Sequence, residues 1–156
     1  MFPKILILNF SLFILLATQV EAAPFTDNSD GTVKDLATNL AWQKCSQGLS
    51  GTNCSTGSET TATWASAVSY CNSLSLASRT WRLPNVNELK TIAEYTKATS
   101  PAIDSTAFPA TIASYYWSST TYAQSNNNAW SVNFNLGILD LFFKTNAYYV
   151  RCVSGP

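Results

Sequence analysis

Residues 63–89 encode two short amphipathic helices in succession, the first with a cysteine on its apolar face. In the first, Trp64, Ala67, Val68, Cys71 and Leu74 recur at helical spacing, which predicts one buried stripe, and Thr63 stands where an N-cap belongs. In the second, Asn85 and Glu88 have the spacing of a capping box, with Asn in place of the usual Ser or Thr. Val86, Leu89, Ile92 and Ala93 make its stripe. The pair constrains the fold more than either helix alone.

Around the helices, short β-signals alternate with turns. Residues 25–45 read as an opening β-hairpin, with Phe25, Val33, Leu40 and Trp42 apolar and with turn chemistry at Asp27-Asn28-Ser29-Asp30-Gly31 and Ala37-Thr38-Asn39. The acidic turn invites comparison with a calcium loop, but no Glu follows at the EF-hand spacing, so a glycine-assisted turn is expected. Residues 46–61 form a polar loop. Residues 100–114 are irregular, because Pro101 and Pro109 interrupt helix and strand alike. Strands are expected at 115–121, 129–135, 138–144 and 148–153, separated by Asn-rich or Gly-containing turns. This is an α+β pattern without an internal repeat: two helices packed on antiparallel sheet with long loops.

At the start, Lys4 precedes an apolar stretch over residues 5–17, and small residues flank Glu21 in Val20-Glu21-Ala22. The pattern predicts a secretory signal peptide over residues 1–22 and a single domain over 23–156, with a secreted, periplasmic or cell-surface location. No later apolar run is long enough to span a bilayer. Export would bring Cys45, Cys54, Cys71 and Cys152 into an oxidising compartment, where an even count predicts two disulfides. Three pairings are open. Zinc is not expected, because the chain has no His and no Cys-x-x-Cys pair, and no other cofactor is indicated.

The chain carries nine basic and nine acidic side chains, and removing Lys4 and Glu21 with the leader keeps the balance. Neither nucleic acid nor an anionic membrane surface is an expected partner. Lack of histidine also removes the commonest general base. Glu88, Glu94, Asp104 and Asp140 are the nominal carboxylates for glycoside cleavage, but Glu88 is spoken for as a cap and the others lack a catalytic context. A non-enzyme is expected, with a carbohydrate-active enzyme as the remote alternative.

The pattern Trp64-Ala65-x-Ala67-x-x-Tyr70-Cys71-Asn72-x-Leu74, then Trp81-Arg82-Leu83-Pro84-Asn85-x-x-Glu88-Leu89, resembles the C-terminal domain of the Legionella collagen-like adhesin. Further landmarks are Asp30-Gly31-Thr32-Val33, Leu40-Ala41-Trp42-Gln43-Lys44-Cys45, Tyr116-Trp117-Ser118-Ser119-Thr120 and Tyr148-Tyr149-Val150-Arg151-Cys152-Val153. More distantly, the Cys-bearing helix and the Arg82-Leu83-Pro84-x-x-x-Glu88 segment are similar to sulfatase-modifying-factor domains and the C-type-lectin-like fold. That likeness implies a bridge from the first helix to the last strand, Cys71 to Cys152. Cys45 with Cys54 is favoured beside it, closing the polar loop. The adhesin resemblance implies sulfated glycosaminoglycans as ligands, yet the basic residues here are dispersed in sequence, and there is no Gly-x-y repeat. The calcium-dependent sugar motif of C-type lectins is also missing, since Trp130-Ser131-Val132-Asn133 has no adjacent Asn-Asp and no Glu-Pro-Asn occurs.

What the resemblance implies is a secreted or envelope-associated recognition or adhesion domain for an extracellular glycan or protein. The alternative is a structural or assembly subunit of a surface complex. Trp64, Trp81, Trp117 and Trp130 are expected in the core, whereas Tyr122, Asn126 and Asn127 are the surface candidates for ligand contact. In the strand beginning at Ile138, alternation puts Leu139, Leu141 and Phe143 on one face and Ile138, Asp140, Phe142 and Lys144 on the other. Burial of the first set leaves Ile138 and Phe142 as a contact patch for self-association or a partner; a loop packed over the strand would bury both sets. Arg82, Pro84 and Glu88 are expected to be structural.

Overall fold

Two turns built on aspartate carboxylates shape the first sheet. In the computed structural model, which describes residues 25–155, β1 (Phe25–Asp27), β2 (Thr32–Asp35) and β3 (Ala41–Gln43) run as an antiparallel meander. The signal peptide expected over residues 1–22 lies outside the described residues. Asp30 accepts the Thr32 N–H and hydroxyl at 3.0 and 2.6 Å, and Gly31 supplies a φ of +86°. Asp35 accepts the N–H groups of Ala37 and Thr38 at 2.9 and 3.2 Å. Residues 25–45 are therefore two hairpins rather than the expected one, because this second Asp turn reverses the chain again. β9 (Val153–Ser154) joins the outer edge of β3, giving the order β1-β2-β3-β9.

The polar loop holds a small ribbon, β4 (Leu49–Ser50) with β5 (Thr56–Gly57), across the Cys45–Cys54 disulfide. Helix α1 (Trp64–Ser73) starts at Thr63, whose side chain accepts the Ser66 N–H, and buries Ala67 and Cys71 completely. Helix α2 (Val86–Thr91) has the full capping box: Asn85 Oδ1 accepts the Glu88 N–H at 2.9 Å, and Glu88 Oε2 accepts the Asn85 N–H at 2.8 Å. Arg82 grips the same carboxylate with both Nη atoms, at 2.7 and 2.6 Å, so Arg82 and Glu88 tie this helix to the strand-like segment before it.

The second sheet has the order β6-β7-β8, with β6 (Tyr115–Tyr122), β7 (Ser125–Asn133) and β8 (Ile138–Phe143). The Asn run is not a loop. Tyr122 pairs with Ser125 across a two-residue turn, so Asn126 and Asn127 belong to β7. The final strand is shorter than expected, for Tyr149 bridges to Tyr116 in parallel while Val153 pairs with Trp42. One segment shared between two sheets cannot be a continuous strand of either.

Each face of the β6-β7-β8 sheet packs over part of its extent on a core. Tyr116, Val132 and Leu139 face a core that includes Leu89 and Ile92 at α2 together with Val33, Trp42 and Phe108. Trp117, Ala129 and Phe142 face another that includes Ala67 and Cys71 of α1 with Val150 and Cys152. This corrects the expectation for Phe142 and Phe143 in the strand at 138–143, while Ile138 is exposed as expected. Phe142 is half-buried, with its ring 4.6 Å from those of Tyr115 and Tyr148, because α1 and residues 148–152 cover its face. Phe143, placed by alternation with the buried set, is 61% exposed; Ile138 is 46% exposed. Trp130 is likewise only partly buried. Cys71 pairs with Cys152 at a Cα separation of 5.5 Å, fastening α1 to the segment that enters β9. No helix among the described residues is long and apolar enough to cross a membrane.

Candidate functional site: a cleft beside the meander

A cleft of about 570 Å³ opens where the β1–β3 meander, the disulfide-closed loop and the C-terminal end of α1 meet. Its polar wall comes from consecutive residues leaving β3. Lys44 Nζ lies 2.6 Å from Asp27 Oδ2 on β1, with the lysine side chain 7% exposed and the aspartate 42%. Asp27 Oδ1 also accepts the Ser29 N–H at 2.9 Å. The hydrogen bond from Lys44, then that from Ser29, holds the Asp27 carboxyl below its ordinary range.

Gln43 is fixed at both ends of its amide. Its Oε1 accepts the Cys152 N–H at 3.2 Å, which leaves Nε2 to donate to the Tyr70 hydroxyl at 2.8 Å. Burial raises the Tyr70 pKa, against the opposing pull of Gln43. Leu49, Leu74 and Leu76 form an apolar wall, and Ser29, Ser50, Thr52 and Ser75 add hydroxyls. Gly31 keeps the turn close to this wall: a Cβ there would come 3.1 Å from Leu76 Cδ1.

Behind the cleft lies a residue whose importance the sequence does not announce. Arg151 is wholly buried, yet its bonds go to neutral oxygens: Nη1 donates to the carbonyls of Gln43 (3.1 Å) and Lys44, and Nη2 to Ser46 Oγ (3.2 Å) and Thr111 Oγ1 (2.8 Å). Its guanidinium also sits 4.7 Å from the centre of the Phe108 ring. Burial lowers its pKa, but arginine's ordinary value is high enough that the group stays charged. The cation thus clamps the backbone from which Gln43 and Lys44 reach the cleft.

The surface candidates read from the sequence lie elsewhere. Tyr122, Asn126 and Asn127 sit at the β6–β7 hairpin end of the second sheet, where Tyr122 meets Trp130 edge-on at 5.8 Å between centroids. Phe142 is near that end of β8, and Ile138 begins the strand at the other end. None of the five lines the cleft. The cleft is lined instead by residues that include Asp27, Gln43, Lys44 and Tyr70, and the sequence signal for them is the polar pair Gln43-Lys44 held between Trp42 and Cys45.

The nominal catalytic carboxylates are engaged in local structure. Glu88 is shared by Arg82 and the Asn85 N–H; Asp104 accepts the N–H groups of Thr106 and Ala107; Asp140 accepts the Leu141 N–H; Glu94 is 3.9 Å from Lys97. Among the described residues, no three His, Cys, Asp or Glu side chains converge as a metal site.

These features define a small, disulfide-braced α+β domain with a preformed amphipathic cleft. The chain belongs to the Lcl C-terminal domain family, whose pattern matches residues 31–154. No curated protein matches it. Two disulfides are compatible with a location outside the cytoplasm.

Proposed function

We propose that the chain is a non-catalytic recognition or adhesion domain of the bacterial surface or exterior, of C-type-lectin-like fold, which seats part of an extracellular glycan or protein in the cleft beside the meander. One observation carries this reading: the polar side chains of the cleft are oriented from behind by buried partners, and their hydrogen-bonding capacity is not used up. Arg151 holds the backbone of Gln43 and Lys44, and the Cys152 N–H sets the Gln43 amide. Such preorganisation lowers the ordering cost of binding. Family membership and the two disulfides support export and surface use. Engagement of the carboxylates in caps and turns supports a role without catalysis.

The test is Thr52→Trp, which puts an indole at the mouth of the cleft from an exposed position. Arrays of glycans and of extracellular proteins should show ligands bound by the parent domain and lost by the variant, with unchanged melting temperature. Full retention of binding by the variant would move the site away from the cleft.

A second reading, as an assembly subunit, is favoured by the exposed Phe143 on the same face of the sheet as Leu141 and Trp130. It concerns a different surface and is separable by mutation.

A further inference from the structure

We infer that the ligand of the cleft is a neutral saccharide, held through hydroxyls on the Asp27–Lys44 pair with its C–H face against Tyr70, Leu74 and Leu76. This rests on the reading of the cleft as the recognition site. Charge comes first. Asp27 and Lys44 are the charged residues lining the cleft, and they are paired at 2.6 Å, so the lining has no net charge. An anionic ligand seeking Lys44 would meet Asp27 beside it, and a cationic ligand seeking Asp27 would meet Lys44. Either would bring its charge against a like charge held beside the one it seeks. A hydroxyl is not opposed in this way, because it accepts from the ammonium and donates to the carboxylate at once.

Unused valence supports the same class of ligand. Lys44 has three N–H donors, one of them directed to Asp27. Tyr70 accepts from Gln43 and so keeps its own proton to donate, while Gln43 Nε2 has a second N–H. The cleft therefore offers several donors and a carboxylate acceptor on one wall, and leucine and a phenol ring on another. That combination suits a ring with hydroxyls at its edge and C–H bonds on its face. The volume, about 570 Å³, lies within the range of small-ligand sites, ~300–1,000 Å³.

The experiment pairs saturation-transfer NMR with calorimetry, using methyl glycosides and disaccharides of neutral hexoses as probes, with glucuronate, glucosamine and sulfated counterparts and a set of unstructured peptides. Neutral glycosides should bind the parent domain. Asp27→Asn should weaken them about tenfold or more, as expected for loss of a hydrogen bond to a charged acceptor. Tyr70→Phe, which keeps the apolar wall, should weaken them less, and Thr52→Trp should abolish binding. Tighter binding of a uronate or sulfated sugar than of its neutral parent, or stronger binding by Asp27→Asn, overturns the neutral-saccharide inference. If peptides alone bind and Thr52→Trp blocks them, the cleft stands and the saccharide falls. Neutral-glycoside binding unaffected by Thr52→Trp removes both, whereas failure of every probe removes the saccharide and leaves the cleft to the arrays.

Discussion

Glu88 shows how much structure one side chain can organise. It caps α2, accepts both Nη atoms of Arg82, and through Arg82 is linked to the Gly155 carbonyl, 3.1 Å from Nη2. Burial alone would raise its pKa, but the bonds from Arg82 and the Asn85 N–H outweigh that effect and leave it lowered. A carboxyl with a depressed folded-state pKa contributes stability above its unfolded value, and that contribution is lost as pH falls through the folded value. Glu88→Gln keeps an oxygen that can accept the Asn85 N–H but loses the charge that Arg82 grips, so it should destabilise the domain by about 0.5–1 kcal/mol at pH 7, the size of a partly exposed ion pair. Thermal melts should show the gap to the parent narrowing once the pH drops below the ordinary carboxylate value of 4.5. A gap independent of pH would show that the charge is immaterial. Glu88 was legible because its partners are three and six residues away in sequence. Arg151 was not, since its partners are Gln43, Lys44, Ser46 and Thr111, and nothing local marks a lone cation as buried.

At the scale of elements, the helices and the disulfides differ in what anchors them. Helices of ten and six residues are too short to persist in isolation, so α1 and α2 depend on the sheet they cover. The Cys71–Cys152 bridge spans 81 residues and holds α1 in place, whereas Cys45–Cys54 spans 9 and closes only the rim loop. Loop-closure entropy gives about 4.5 kcal/mol for the first and about 2.7 for the second. Urea unfolding should accordingly show Cys71→Ala/Cys152→Ala as the more damaging double substitution, the more so because both residues are fully buried. Equal losses would mean that the long bridge constrains little. Caps and apolar periodicity made both helices readable, as these signals are local. The Asn-rich stretch misled, because a residue type that favours turns was carried into β7 by pairing with β6 and β8.

Across the whole molecule, the decisive feature is that the β6-β7-β8 sheet is a middle layer between two cores. Phe142 helps to fill one of them, and Phe143 projects to solvent. Phe142→Ser should destabilise by about 2 kcal/mol or more, while Phe143→Ser should stay within about 0.5 kcal/mol of the parent. Light scattering at high protein concentration tests the second surface: reduced self-association of a fully folded Phe143→Ser variant supports an assembly role, and unchanged scattering removes it. Sequence alone was enough for the α+β class, the two helices with their caps, the even cysteine count and the charge balance, all of which follow from local periodicity, composition or short-range bonding. The resemblance added the pairing of Cys71 with Cys152. Tertiary structure decided which faces of the second sheet are covered, how residues 148–154 divide between two sheets, and where the cleft lies. Asp27, Lys44 and Tyr70 come from three separate stretches of chain, and only the docking of α1 and the disulfide-closed loop onto the meander brings their side chains to one cavity.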